Sequence, residues 1–147
     1  MEIVPARSSD APEIKRLLEV SGLPTADLRP ALLERFLVLR EGSALVAVIG
    51  LEGTGNAGLL RSLSVSEHLR GGGLGRRMVA AAEALALQRG IVSLYLLTTT
   101  AADYFSKLGY RDAPRDTAPA RIRNTPQFSE LCPSSSSFMV KTLKARP

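Results

Sequence analysis

Hydrophobic and polar positions along the chain follow two periods, one typical of amphipathic helices and one typical of strands. Residues 2–6 form a short strand candidate, and Ser9 is placed to cap a first helix that ends at Gly22. A second short helix is predicted over residues 28–36, with Pro30 in its first turn, where a missing N–H is tolerated. This part of the chain is therefore predicted to contain a strand and two helices.

Three short apolar runs follow, at residues 36–40, 44–51 and 59–65. The segments 41–43 and 53–56, rich in glycine and polar residues, separate them. Short β-branched and apolar runs divided by such turn residues predict a three-strand antiparallel meander.

The second half of the chain returns to the helical period and then alternates between helix and strand. In chain order we predict a helix, a buried strand, a short helix and a further strand, over residues 74–89, 91–97, 101–108 and from 110 onward. The inward face of the long helix is predicted to consist of Leu74, Met78, Ala82 and Leu85. Gly90 and Gly109 are placed to end the two helices.

Residues 114–137 are rich in Pro, Ser, Thr and Arg and depart from this alternation. Within them, Thr125 and Pro126 form a candidate cap and first residue of a short helix. A final strand is predicted over residues 138–143. A connection of this length inside a small domain is usually functional or mobile. A chain of 147 residues with 45% hydrophobic content is typical of one domain, and it shows no internal repeat and no linker that divides domains, so we expect a single domain over residues 1–147.

Charge and composition narrow the class of protein. Nineteen Lys and Arg against 14 Asp and Glu give a net charge of +5, which attracts anions. The basic residues are scattered, so direct nucleic-acid binding is disfavoured. A single cysteine and a single histidine argue against a disulfide within the chain and against a structural metal. Without a secretory leader or a membrane-spanning apolar run, we expect a cytoplasmic protein; a homodimer is left open.

A glycine-rich turn, Arg70-Gly71-Gly72-Gly73-Leu74-Gly75-Arg76, lies between the predicted strand 59–65 and the predicted helix 74–89. Residues without a Cβ let the main chain approach a ligand, and the unpaired N–H groups at a helix N-terminus favour a phosphate. The turn lacks the Gly-Lys-Ser/Thr of a Walker A loop, and Arg76 stands where a dinucleotide-binding motif needs its third glycine. The alternative is a turn without a ligand, although turn chemistry alone needs one or two glycines.

The remaining pattern, Arg-x-x-Gly-x-Gly, resembles the pyrophosphate-binding motif of the GNAT superfamily of acyl-CoA-dependent N-acetyltransferases. The order of predicted elements is similar to that fold across nearly the whole chain. The resemblance implies an α/β GNAT-like fold, with a mixed, largely antiparallel splayed sheet flanked by helices and a V-shaped cleft for acetyl-CoA. It also implies that the pantetheine arm pairs with the main chain of Leu63, Ser64 and Val65, and the pyrophosphate with the amides of residues 71–76.

A second segment, Ala101-Ala102-Asp103-Tyr104-Phe105-Ser106-Lys107-Leu108-Gly109-Tyr110, resembles the A-x-x-F-Y-x-K-x-G-F segment of GNAT enzymes. Phe105 stands where many members carry the tyrosine that protonates the CoA thiolate, and Thr98 where they often carry a CoA-contacting asparagine. Both positions are expected to contact the cofactor. Tyr104 is the candidate acid, although adjacent helical residues point about 100° apart.

Several polar residues are candidates for the transfer chemistry. His68 could act as a base, or Glu67 could act as one through water; a solvated histidine and an exposed carboxylate are the alternatives. Arg61 interrupts an apolar strand and needs a partner such as a substrate carboxylate, or an outlet to water. Arg121 and Arg123 could clamp an anionic acceptor, or belong to a solvated basic loop.

Cys132 could attack acetyl-CoA, but no adjacent His or acid would activate it, so an inert thiol is expected.

A closer resemblance is to short GNAT proteins encoded with arsenic-resistance genes, through residues 97–110 and the segment Phe128-Ser129-Glu130-Leu131-Cys132-Pro133. It implies a small amine acceptor, such as an amino acid with an arsenic or phosphorus headgroup. The implied reaction is direct attack of the amine on the thioester, with backbone N–H groups stabilising the oxyanion. The alternatives are a degenerate acyl-CoA-binding domain and a basic nucleic-acid-binding domain.

Overall fold

The computed structural model describes residues 2–126, 128–129 and 136–143. The chain divides into two compact units: unit 1 comprises Met1–Glu52 and Arg61–Ala82, and unit 2 comprises Gly53–Leu60 and Glu83–Pro147. Each unit is built around a hydrophobic core of its own. The single-domain organisation remains a prediction.

The described residues form one sheet of seven strands in the order β1-β2-β3-β4-β5-β7-β6. These strands are β1 Ile3–Pro5, β2 Phe36–Glu41, β3 Ala44–Thr54, β4 Ala57–Val65, β5 Ser93–Thr98, β6 Arg111–Asp112 and β7 Ser137–Thr142. The pairs β1–β2, β2–β3, β5–β7 and β6–β7 are antiparallel, whereas β4 runs parallel to β5. The predicted mixed, largely antiparallel sheet is therefore confirmed, and the splay of its central strands remains a prediction.

Five α-helices are present in the described part of the chain: α1 Ala11–Val20, α2 Pro30–Leu33, α3 Leu74–Gln88, α4 Ala102–Lys107 and α5 Ala120–Arg123. In unit 1, α1 and α2 pack on β2 and β3 through apolar residues that include Ile14, Leu18, Leu33, Phe36, Val38 and Val48. Pro30 stands in the first turn of α2, as predicted. The start of α1 differs from the prediction.

The predicted cap residue, Ser9, lies in a 3₁₀ turn, Ser8–Asp10, that precedes α1. The helix itself begins at Ala11, with Asp10 as its N-cap. The Asp10 carboxylate accepts the backbone N–H of Arg7 at 2.8 Å. The prediction for Ser9 was wrong because the extra turn shifts the cap by one residue.

The inward face of α3 follows a four-residue spacing. Leu74, Met78 and Ala82 are buried as predicted, but Leu85 is only half-buried and Ala86 has no exposure. Residues four apart stay on one helix face, so the small side chain of Ala86 continues the face that starts at Leu74. The helix ends as predicted, with Gly90 at φ +82°.

In unit 2, the predicted buried strand is half-buried instead. Along β5, Leu94 and Leu96 are buried, whereas Tyr95 and Leu97 are intermediate. The alternation shows that one face of β5 is covered less completely than the other. Tyr95 stacks on Phe138 of β7, with ring centroids 5.3 Å apart.

The predicted long connection contains short ordered pieces. A 3₁₀ turn at Arg115–Thr117 and the helix α5 lie inside it. The Oγ1 of Thr125 accepts the backbone N–H of Phe128 at 3.3 Å, so the predicted capping role of Thr125 is confirmed. Cys132, predicted to be an inert thiol, lies outside the described residues.

Candidate active site

The glycine-rich turn follows β4 and a 3₁₀ turn at Glu67–Leu69, and it leads into α3. Gly71 and Gly73 have φ values of +86° and +84°, a region that residues with a Cβ rarely adopt. A Cβ built at either position would meet nothing within 4 Å, so backbone conformation rather than crowding favours glycine there. The main chain of the turn is therefore open to a ligand.

The turn also provides N–H donors. The Arg77 N–H donates to the Gly73 carbonyl at 3.1 Å, so Gly73 is the N-cap of α3. The N–H groups in the first turn of a helix have no acceptor within that helix, and they carry the positive end of its dipole. Arg70 and Arg76 add exposed positive charge. These features fit a phosphate or pyrophosphate group.

Arg70 connects the turn to the end of β4. Its Nε donates to the Val65 carbonyl at 3.0 Å, which uses one of the five N–H donors of the guanidinium. Val65 and Leu63 are half-buried, whereas Ser64 is buried. The pairing of a pantetheine arm with this main chain remains a prediction.

Ser62, which no sequence signal indicates, holds an unusual backbone conformation in β4. Its φ is +59°, and among the described residues it is the one non-glycine residue with a positive φ. Such a conformation inside a strand interrupts the regular pleat and redirects the main chain that follows. The main chain that follows Ser62 is that of residues 63–65, the segment predicted to pair with a pantetheine arm.

Arg61 has its partners inside the protein. Its side chain has 0% exposure, and its guanidinium forms ion pairs with Asp27 and, at 3.2 Å, with Glu52. Burial alone would lower the pKa of Arg61, but hydrogen bonds and attraction from both carboxylates raise it above its ordinary value. From the sequence, Arg61 was expected to pair with a substrate carboxylate or to reach water, and these two carboxylates of the protein take the place of such a partner. Asp27 lies 34 residues away in sequence, so no local pattern could have identified it, whereas Glu52 lies nine residues away on the preceding strand β3.

A cavity of about 350 Å³ lies within unit 1. It is lined by α1, the start of β3 and the segment after β4; Arg16, Leu17, Val20, Leu45, Val65 and Glu67 are among its residues. The volume falls in the range of small-molecule sites. Its lining combines apolar side chains with charged side chains of both signs.

The two candidate bases differ in their contacts. Glu67 is exposed and borders this cavity. His68 is 62% exposed, and its Nε2 lies 3.4 Å from Oε1 of Glu41, which is also exposed. A polar contact between two exposed side chains holds a histidine only weakly, so the orientation of the His68 ring is not fixed.

The candidates of unit 2 occupy the end of β5 and the helix α4. The Oγ1 of Thr98 accepts the Ala101 N–H at 3.0 Å, just before α4 begins. Tyr104 is 40% exposed, whereas Phe105 is 8% exposed and packs edge-on against Tyr110, with centroids 5.7 Å apart. Phe105 thus belongs to the packing of unit 2, and Tyr104 presents the more accessible ring.

The arginines of the long connection are also placed in unit 2. Arg121 lies against the turn between β3 and β4: a Cβ added at Gly55 would be 1.7 Å from the Arg121 Nη1, so only glycine leaves room for the guanidinium there. Arg123 is the exposed last residue of α5. Arg115 lies over the Phe128 ring at 5.4 Å and donates to the Ser136 carbonyl at 3.1 Å. An acceptor contact for Arg121 or Arg123 remains a prediction.

A family model described as the acetyltransferase (GNAT) domain matches residues 33–112, which is more than half of the chain. The chain therefore belongs to the GNAT acetyltransferase family. An uncharacterized N-acetyltransferase from Chlorobaculum tepidum is 32% identical over 85 residues, which cover 57% of this chain and 54% of that protein. The chain thus spans about half the length of this curated relative.

Solved structures share the fold. N-acetylglutamate synthase from Neisseria gonorrhoeae, solved with coenzyme A and N-acetyl-glutamate, matches with a TM-score of 0.85 at 25% identity. The match covers 98% of this chain and 35% of that one, so this chain spans about a third of it. A Mycobacterium tuberculosis protein solved with CoA matches with a TM-score of 0.81 at 19% identity, covering 98% and 100% of the two chains. At that identity the likeness shows the fold alone.

Across residues 2–126, 128–129 and 136–143, no helix combines the length and the apolar character needed to cross a membrane. In the same described ranges, no group of three or more His, Cys, Asp or Glu side chains is arranged to hold a metal ion.

Proposed function

We propose that this chain is an acetyl-CoA-dependent N-acetyltransferase that acetylates the primary amine of a small anionic acceptor. The observation that carries the proposal is the turn before α3. There, Gly71 and Gly73 hold left-handed conformations, and the first turn of a 15-residue helix offers unpaired N–H groups. Membership of the GNAT family supports acetyl-CoA as the cosubstrate of this turn. The relative solved with coenzyme A supports the same choice.

Acetyl-CoA would supply the acetyl group as a thioester. The chain would hold the pyrophosphate on the main-chain N–H groups of residues 71–76, with Arg70 adding positive charge. We further propose that the main chain of residues 63–65 pairs with the pantetheine arm, and that Thr98 and Phe105 contact the coenzyme. The resemblance of these positions to the family pattern supports the assignments.

During transfer, the amine nitrogen forms a bond to the acetyl carbon and the C–S bond breaks, while the amine loses one proton and the sulfur gains one. Glu67 is our first candidate for the base because it is exposed and borders the cavity of unit 1. His68 is the second candidate. Tyr104 is our candidate for the acid, because its ring is accessible and Phe105 has no hydroxyl.

The acceptor we propose is a small anionic amine because a net charge of +5 favours anions and disfavours polycationic drugs. The relative solved with N-acetyl-glutamate supports this class. Within it, an amino acid with an arsenic or phosphorus headgroup rests on the resemblance of residues 97–110 to proteins encoded with arsenic-resistance genes. Our candidate acceptor pocket is the cavity of unit 1, where Arg16 and Glu67 could pair with a carboxylate and an ammonium group.

Calorimetry with CoA tests the cosubstrate. We expect micromolar-range binding by the parent and strong weakening by Gly73→Val and by Gly75→Val, because a branched side chain obstructs approach to the turn's N–H groups. Gly42→Val is the matched control, since Gly42 also has a positive φ and no atom within 4 Å of an added Cβ, but it lies in the turn between β2 and β3, outside residues 71–76. Equal CoA binding by the parent and both valine variants would show that the turn is not the phosphate site.

Thiol release from acetyl-CoA, measured with a panel of amines, tests the reaction and the acceptor. We expect faster turnover of amino acids and of their phosphinic and arsinic analogues than of kanamycin-like amines. The opposite order would refute the anionic acceptor. CoA binding without thiol release for any amine would favour a degenerate acyl-CoA-binding domain. Arg16→Ala should raise the acceptor KM, whereas Lys15→Ala on the same helix should not.

A further inference from the structure

The connection between α1 and α2 is attached to β4 at two points that bracket Ser62. Asp27 of the connection pairs with Arg61, and the Ser21 hydroxyl at the end of α1 hydrogen-bonds the Ser64 hydroxyl. Both contacts lie within unit 1. The strand is therefore held immediately before and shortly after its one left-handed residue.

The contact at Arg61 is rigid because it is bidentate and buried. Both Nη groups of Arg61 donate to the Asp27 carboxylate, with Nη2 and Oδ1 2.8 Å apart. The Nε of the same guanidinium donates to the Ser62 Oγ at 3.0 Å. Glu52 is a second carboxylate partner, 3.2 Å from Nη1, but it meets only one of the two Nη groups, so the bidentate contact with Asp27 is the one that fixes the plane of the guanidinium. Through its Nε, Arg61 in turn fixes the side chain of Ser62.

Glycine at position 50 makes room for this arrangement. A Cβ on Gly50 would lie 3.0 Å from Cγ of Arg61 and 2.6 Å from the Phe36 ring. The guanidinium itself lies over that ring, 6.0 Å from its centroid. Packing against Gly50 of β3 and Phe36 of β2 thus leaves the Arg61 side chain little freedom to take another rotamer.

A left-handed serine is unfavourable on its own and redirects the main chain that follows. The two attachments hold that conformation and thereby set the direction of the N–H and carbonyl groups of residues 63–65. Those are the groups that our proposed function assigns to the pantetheine arm. The nucleotide end, by contrast, is assigned to the turn before α3, whereas the two attachments reach Arg61 and Ser64 of β4.

We infer that Asp27 and Ser21 are positioning residues for the pantetheine-binding part of β4, an inference that rests on the proposed function. They would act through Arg61 and Ser64 without touching the coenzyme. Loosening either attachment should weaken the binding of the pantetheine arm and leave the binding of the nucleotide end unchanged.

Calorimetry with two ligands separates these effects. CoA carries both ends, whereas ADP carries the adenosine and the pyrophosphate without the pantetheine arm. We expect Asp27→Asn to weaken CoA binding about 10-fold and Ser21→Ala about 5-fold, the loss of roughly one backbone hydrogen bond. ADP binding should change less than about 2-fold in both variants. Asp27→Glu, which keeps the carboxylate, should restore much of the CoA affinity.

Asp10→Asn is the matched control because Asp10 also pairs with an arginine, Arg40, in unit 1 and has the same 8% side-chain exposure as Asp27. It should leave the ratio of CoA to ADP affinity unchanged. An unchanged ratio of CoA to ADP affinity in both Ser21→Ala and Asp27→Asn would overturn the inference, whether neither ligand or both ligands bind more weakly. If Asp27→Asn does not fold, Ser21→Ala decides. A parent that binds no CoA would instead refute the proposed function.

Discussion

Replacing Gly73 by alanine should weaken both the fold and coenzyme binding through backbone conformation alone. Gly73 has a φ of +84°, and a Cβ there would meet no atom within 4 Å. The added methyl group therefore causes no clash, and its cost is that of holding an alanine in the left-handed region, about 1–2 kcal/mol. Gly72, the neighbouring residue, supplies the comparison. It is not left-handed, and its added Cβ would lie at an ordinary 3.5 Å from the Leu69 carbonyl oxygen.

Two measurements check this prediction. Urea unfolding should show that the free energy of unfolding falls by about 1–2 kcal/mol in Gly73→Ala. In Gly72→Ala, where the new alanine also restricts the unfolded chain, it should change by no more than about 0.5 kcal/mol. Where the turn relaxes to avoid the strain, its N–H groups move. CoA affinity should then fall about 5- to 30-fold for Gly73→Ala, the equivalent of the same free energy.

The refuting result is equal behaviour of the two variants. If Gly72→Ala and Gly73→Ala lose the same stability and the same CoA affinity, backbone conformation does not explain the glycine at position 73. If only Gly72→Ala weakens CoA binding, the ligand approaches a different part of the turn.

Three further predictions concern proton-linked groups. Burial and the neighbouring Glu83 carboxylate raise the pKa of Tyr110, so the protonated phenol stabilises the fold below about pH 10 and this contribution is lost progressively above it. In alkaline unfolding, Tyr110→Phe should therefore lose less stability with rising pH than the parent. The hydrogen bond from Arg40 lowers the pKa of Glu13 despite some burial, so Glu13→Gln should be less stable than the parent at pH 7, and urea unfolding should show this difference closing below about pH 4.5. Phe105→Tyr should raise the transfer rate mainly below neutrality, and an unchanged pH–rate profile would contradict that.

The sequence predicted the order of elements well because their boundaries carry local signals. Apolar periodicity distinguished α3 from the strands around it, and Gly90 stops that helix by adopting φ +82°. Errors arose where two neighbouring residues were equally plausible. Ser9 and Asp10 both suit a helix cap, and Leu85 and Ala86 both suit an inward position. Only the course of the preceding turn and the phase of the helix decide between them.

The parts of the candidate site that are contiguous in sequence could be predicted, and those that the fold brings together could not. The glycine turn is a contiguous motif, so its position before α3 followed from the sequence. The pairing of Arg61 with Asp27 did not, because Asp27 is 34 residues away and only the fold brings the two together. Nor did the conformation of Ser62, since serine carries no preference that marks a left-handed residue inside a strand.

Unit 1 therefore contains two kinds of left-handed residue with different consequences for mutation. In the turn, glycine itself lowers the cost of positive φ, and no side chain is required to hold it. At Ser62 the cost is offset by contacts, above all the buried ion pair of Arg61 with Asp27. Substitutions at Gly71 or Gly73 act at the site where the phosphate is proposed to bind. Substitutions at Asp27 act from a distance, because the strand conformation it supports depends on a charge that has no exposure to water.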